Sequence, residues 1–261
     1  MPLRQENYQA MLIEKRANGV AVVTLNRPER LNAVNGTLHH ELARFTREAE
    51  TDPDVKIVVL AGAGRAFCAG GDFGADSEAS TLSMEEGRQI VDHILELRKP
   101  IISAVQGYAM GLGATISLLC DVVVAGHSTV FADTHVSMGI GAGDGGQVIW
   151  PLLLGVNRAK WFLMTGERLT GQALFDMGLV NFLVDDKEIL NKALECAGRL
   201  AAGPQAAIIA SKVPINSYIR SISSQILPLS LAMEGETMRS KDAKEAQSAF
   251  AEKRAPVFGK R

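Results

Sequence analysis

Apolar positions along this chain change period several times, and each change marks an element. Met11–Arg16 and Val20–Leu25 are short apolar runs joined by Ala17-Asn18-Gly19, and Asn-Gly between such runs predicts a hairpin. Arg27-Pro28-Glu29-Arg30 breaks the strand pattern. From Asn35 to about Glu50, Leu38, Leu42, Phe45 and Ala49 recur at helical spacing, with Asn35 or Thr37 as cap. Val55–Ala61 is a continuous apolar run, as expected of a strand buried on both faces. It enters a Gly-rich turn, Gly62–Asp72. Ser83–Arg98 is amphipathic and closes at Lys99-Pro100. Ile101–Gln106 reads as a strand, Gly107–Gly113 as a second Gly-rich turn, Ala114–Cys120 as a short buried helix and Asp121–Ala125 as a strand.

This alternation predicts an α/β fold with a parallel or mixed sheet wrapped by helices. After Gly146 strand signals nearly vanish, apart from Leu179–Val184. Helices are expected at about Asn157–Thr165, Thr170–Met177, Lys187–Ala202, Pro204–Asn216 and Leu227–Phe250. The chain thus divides into a core over 1–195 and a helical region over 196–261, whose Met and Leu faces suit packing on another subunit.

Composition narrows the function. With 261 residues, 47% apolar and 21% charged, a large core is available and disorder is not expected. A net charge of −2 and a pI near 6.2 point away from nucleic acid and anionic membranes. The longest apolar runs fall short of a membrane span. Cys68, Cys120 and Cys196 form neither a disulfide framework nor a zinc motif. The polar start MPLRQENYQA has no apolar signal core, so a reducing cytoplasm is the expected compartment.

The chemistry is expected at the two Gly-rich turns. Each follows a buried strand at its carboxyl end, where open α/β sheets place ligands. Glycine lets backbone N–H groups approach a ligand, and the second turn opens a helix whose free N–H groups favour negative charge. Two such turns facing one another would make an oxyanion hole. The alternative is that the glycines only turn corners; a phosphate loop is a rival, though GxxxxGK[ST] is missing. Arg65 could reach a phosphate or lie on the surface. Cys68 has no evident base beside it, so packing is its expected role.

These segments resemble the crotonase, or enoyl-CoA hydratase/isomerase, superfamily. The resemblance rests on Arg27-Pro28-Glu29-Arg30-Leu31-Asn32-Ala33, on Ala66-Phe67-Cys68-Ala69-Gly70-Gly71-Asp72, on Lys99-Pro100 through Gly107-Tyr108-Ala109-Met110-Gly111, on Cys120-Asp121 and on Phe250–Phe258. It implies a ββα spiral core with a C-terminal helical region, and a homotrimer or dimer of trimers. It implies an oxyanion hole from the N–H groups of Gly71 and Leu112, although the family usually has glycine at the latter position. It implies CoA contacts from Arg30, Leu31 and Ala33, from Ala69, Gly70, Asp72 and Phe73, and from Phe258 and Lys260 over the adenine. Coenzyme A would enter as part of the substrate, with no tightly bound cofactor and no metal.

The resemblance also exposes departures. The hydratases' two glutamates are replaced by Thr115 and His135. A threonine is no base near neutral pH, whereas an ordinary imidazole titrates near ~6.5 and can be one. Asp144 follows within Gly139–Gly146, as a catalytic acid or a turn former. His135 to Gly145, with Val148-Ile149-Trp150-Pro151 and Leu154–Arg158, is similar to the 6-oxocamphor and β-diketone hydrolase branch. That branch cleaves a carbon–carbon bond between two carbonyls, its histidine activating water and its aspartate handling the enolate proton. By this likeness Trp150 and a late-helix glutamate, Glu234, line the site. The expected substrates are therefore an acyl-CoA or a β-dicarbonyl compound. Two further relatives leave alternatives: a dehalogenase in which Asp144 would be the nucleophile, and a crotonase-fold binding protein without catalysis.

Overall fold

The computed structural model describes residues 2–73 and 83–259; Lys260 lies outside the described residues. In chain order the elements are β1 (Met11–Lys15), β2 (Val20–Leu25), α1 (Gly36–Thr51), β3 (Ile57–Gly62), α2 (Met84–Glu96), β4 (Ile101–Val105), β5 (Tyr108–Met110), α3 (Leu112–Leu118), β6 (Val122–Gly126), β7 (Val130–Ala132), α4 (Gly146–Leu154), α5 (Val156–Thr165), β8 (Leu169–Thr170), α6 (Gly171–Asp176), β9 (Phe182–Val184), α7 (Ile189–Ala201), α8 (Gln205–Thr237) and α9 (Lys241–Ala251).

The hairpin forms as its pattern predicts, with Met11 opposite Leu25. Beyond it the chain climbs as a spiral. The larger sheet has the order β1-β2-β3-β4-β6-β9 and is parallel after β2; the smaller has the order β5-β7-β8. β4 is followed by β5 and β6 by β7, so each turn of the spiral puts one strand in each sheet. Alternate residues of β3 enter two different cores. Val58 and Leu60 join the main core, while Ile57, Val59 and Ala61 meet Ile189, Ala193, Ala197 and Ala201 of α7. Small residues at every fourth position let α7 lie close against the sheet. A division at 195/196 falls inside this helix.

Asn35, not Thr37, caps α1, its side chain accepting from Leu38 N at 3.1 Å. The tail differs from the expected pair of helices. α8 runs unbroken for 33 residues through Pro214 and Pro228, and the break falls at Ser240, which caps α9. An interior proline removes a hydrogen bond and costs roughly 3 kcal/mol. Tertiary anchors on both sides of Pro214 and beyond Pro228 offset this. Lys212 Nζ lies 2.7 Å from Asp121 Oδ2, Asn216 donates to Leu95 O, and Ser230 donates to Gln147. α4 and the short strands β7 and β8 carried no sequence signal, because α4 contains Pro151 and is bounded by Gly145 and Gly155, both at positive φ. Among the described residues no helix is long and apolar enough to cross a membrane.

Candidate active site

The first turn is locked by the segment before α1. Leu31 and Asn32 take positive φ, and the buried Asn32 side chain donates to Ala63 O and Ala66 O. Arg27 binds Ala33 O and lies 2.9 Å from Asp72 Oδ2. Val34 donates to Gly70 O and accepts from Asp72 N in a parallel bridge, which directs the N–H of Gly71 itself away from that pairing. Leu112 is the first residue of α3, so its N–H has no intrahelical acceptor.

The two turns touch. Gly70 has φ +88°, and a β-carbon there would stand 2.9 Å from Met110 O; one on Gly113 would stand 2.5 Å from Cys68 O. Glycine is required at both by this close approach. Cys68 is buried, and burial pushes its thiol up to about 12, in keeping with a packing role.

Gly71 and Leu112 share a cavity of about 430 Å³ with Phe73, His135, Asp144 and Glu234. His135 sits in a 3-10 turn after β7, its Nδ1 2.6 Å from Asp133 Oδ1 and its Nε2 3.1 Å from Asp144 Oδ2. Glu234 Oε1, from α8, lies 3.9 Å from the same Nε2. Asp144 Oδ1 accepts from Thr115 Oγ1 at 3.3 Å. Six predicted residues thus meet at one cavity, and Thr115, fully buried, stands behind Asp144 as its support.

The remaining predicted residues lie elsewhere. Arg30 is exposed, and Leu31, Ala33, Ala69, Gly70 and Asp72 belong to the locked segment and first turn. The Asp72 carboxylate is buried against Arg27. Phe258 is exposed in a terminal segment tied to α9 by Val257 N on Glu245 and Gly259 N on Asp242. Trp150 is fully buried against Phe162 and does not line the cavity, because α4 turns that face toward α5.

Electrostatics revise the expectation of an ordinary histidine. Burial lowers the affinity of His135 for its proton, but the carboxylates of Asp144 and Asp133 outweigh it and raise its pKa well above the usual value. Burial, with Asp144 adding and His135 opposing, pushes the Glu234 carboxyl up to about 8. Both shifts favour the protonated forms, an imidazolium at His135 and a neutral carboxyl at Glu234. Asp133 escaped the sequence reading. Its role follows from contact with His135 Nδ1, and its Oδ2 lies where Gly146 opens α4, 2.6 Å from the position of an added β-carbon.

Because the fold raises the Glu234 pKa, ionisation of this group works against folding. Its contribution to stability falls as pH rises from its ordinary value of 4.5 to about 8. Any turnover that needs a neutral Glu234 is expected to decline on an alkaline limb with an apparent pKa of about 8. A Glu234→Gln profile should lack that limb, and an unchanged limb would assign it to another group.

The fold and motif order have a match among known sequences: the profile of the enoyl-CoA hydratase/isomerase family covers residues 15–261. The chain belongs to this family. As an enoyl-CoA hydratase/isomerase family member it is a crotonase-superfamily enzyme. It is 33% identical to the short-chain-enoyl-CoA hydratase of Clostridium acetobutylicum, over 94% of this chain and 95% of that one. It is 34% identical to the 1,2-epoxyphenylacetyl-CoA isomerase of Escherichia coli, over 92% and 95%. Among solved structures it is similar to a β-diketone hydrolase from Anabaena sp. bound to (S)-3-oxocyclohexyl acetic acid, with a TM-score of 0.83, 28% identity, and coverage of 91% and 97%.

Proposed function

We propose that this enzyme binds an acyl-CoA thioester, stabilises its enolate between the N–H groups of Gly71 and Leu112, and moves protons with His135 and Asp144 in place of two glutamates. The observation that carries this reading is the 3.1 Å His135–Asp144 contact in the cavity that Gly71 and Leu112 also line. Charge on the carbonyl oxygen is worth most where donors are fixed and water is excluded. Asp144 takes a proton from carbon or water, and His135, itself held by Asp133, returns one. Glu234, neutral at the start, supplies a second transferable proton. Thr115 fixes one oxygen of the Asp144 carboxylate, and the other faces His135. CoA enters as substrate, and no metal or redox cofactor is part of the scheme.

A second reading is hydrolysis of a β-dicarbonyl carbon–carbon bond. It is favoured by the Asp133–His135–Asp144 chain with Glu234 beside it, together with the likeness to the Anabaena hydrolase. Here water, deprotonated at the imidazole–carboxylate pair, attacks one carbonyl, and the leaving enolate is protonated.

One assay separates the two: crotonyl-CoA, a 3-ketoacyl-CoA and a cyclic β-diketone are each incubated with the enzyme and the products identified. Hydrated or isomerised thioester is expected. Ring-opened keto acid from the diketone alone would transfer the proposal to the second reading, and no conversion of any of the three overturns both. A homotrimer or dimer of trimers completes the proposal. It is supported by the exposed apolar side chains Val156, Trp161 and Met164 on α5 and Ile215, Tyr218 and Leu229 on α8. A cytoplasmic location accords with three unpaired cysteines.

A further inference from the structure

A second imidazole enters the same cavity from α1. His39 is only 6% exposed, yet its ring lines the cavity with Val34, Gly87 and Leu231. Its Nδ1 lies 3.1 Å from Glu86 Oε2 on α2, and His40 Nδ1 lies 2.8 Å from Glu86 Oε1. Burial raises the Glu86 pKa, but the bonds from His40 and His39 outweigh it and hold the group below its ordinary value. A carboxylate only accepts, so His39 Nδ1 carries the hydrogen and donates it. This leaves Nε2 as the ring nitrogen free to meet a ligand.

Nothing among the described residues bonds to Nε2: the contacts of this ring run through Nδ1 alone. Its surroundings keep it open. The nearest helix position is Gly87, where an added β-carbon would stand 3.9 Å from Nε2 and 3.8 Å from Leu231 Cδ2. Both are ordinary van der Waals distances, so the wall beside Nε2 is not crowded. Joining α1 to α2 does not require this group, because His93 on α2 already bonds Ala43 O on α1.

We propose that His39 Nε2, oriented by Glu86, recognises a hydroxyl group on the acyl part of the substrate. The inference rests on the reading of this cavity as the acyl site. With Nδ1 committed to Glu86, Nε2 is the ring atom left to face the substrate, and a hydroxyl, which can both donate and accept, is the common acyl substituent that pairs with it in either tautomeric role. The neighbouring walls, Val34, Phe73, Met84 and Leu231, are apolar, so an acyl group without such a hydroxyl would cover Nε2 and leave it unpaired.

Calorimetry tests this with CoA esters of a short saturated acid. One hydroxyl is moved carbon by carbon along the chain, and each ester is compared with its keto counterpart and the unsubstituted parent. At one position the hydroxyl ester should bind about tenfold more tightly than the parent, the equivalent of about 1.4 kcal/mol. That ratio should fall to near one in His39→Phe, fall partly in Glu86→Gln, and survive partly in His39→Gln, whose amide oxygen still accepts. A wild-type enzyme that favours no hydroxyl position, or favours the keto ester, overturns the proposal, as does an undiminished ratio in the variants. Should His39→Phe fail to fold, the Gln variants carry the comparison. If no CoA ester binds, the thioester reading is what has failed; the same substituent series on cyclic β-diketones, judged by the same ratio, then decides the role of His39.

Discussion

Replacing His135 with Gln is expected to lower turnover by about 10²–10⁴-fold, the range typical of a lost acid–base group. Glutamine fills similar space and can still donate to one carboxylate, but it holds no transferable proton at neutral pH. The measurement is kcat with the best thioester from the product assay, beside a thermal melt. The melt separates two effects. His135 lies between Asp133 and Asp144, with Glu234 at 3.9 Å, so removing it takes away the shared partner of two buried carboxyl groups. Breaking a buried pair of this kind typically costs about 3–5 kcal/mol. A folded variant with wild-type turnover would remove His135 from the chemistry and return the cavity to a binding role.

The second large effect is expected at a residue with no functional group. Gly113→Ala places a methyl 2.5 Å from Cys68 O and 2.7 Å from Cys68 Cβ, so the two turns must separate. Separation moves the Gly71 and Leu112 amides relative to one another. Loss of one donor from a carbonyl-binding pair costs about 10²–10³ in rate. The expected pattern is a fall in kcat much larger than any change in KM, since the donors act on developing charge. An enzyme that keeps its kcat with this methyl in place would show that the spacing of the turns does not set the rate. Gly62→Ala, whose added methyl would lie 2.5 Å from Phe67 O, is a control for disturbance within the first turn that leaves its contact with the second untouched.

Much of this was legible before any coordinates. Val55–Ala61 reads as a buried strand because both its faces are covered, one by the main core and one by α7. Asn35 reads as a cap because its side chain can satisfy a free helix N–H, as it does for Leu38. The tail was misread where tertiary anchoring outweighs local preference: Pro214 and Pro228 mark breaks in sequence, but Lys212, Asn216 and Ser230 hold α8 continuous across them. Trp150 was misassigned because a motif fixes order along the chain, whereas the rotation of α4 decides which of its side chains face the cavity.

The sequence by itself determined the α/β class and the position of both glycine turns, because backbone periodicity and glycine placement are local properties, and its ordered motifs carried the resemblance to the family. It also marked His135 and Asp144 as the groups standing near them. Only the tertiary structure decided their state. Asp133 is two residues from His135, but Glu234 comes from a helix about a hundred residues later and His39 from one about a hundred earlier. Charge states depend on burial and on neighbours in space, so the proton affinity of a histidine expected as an ordinary base is raised between two carboxylates, and burial with Asp144 pushes the Glu234 carboxyl up to about 8.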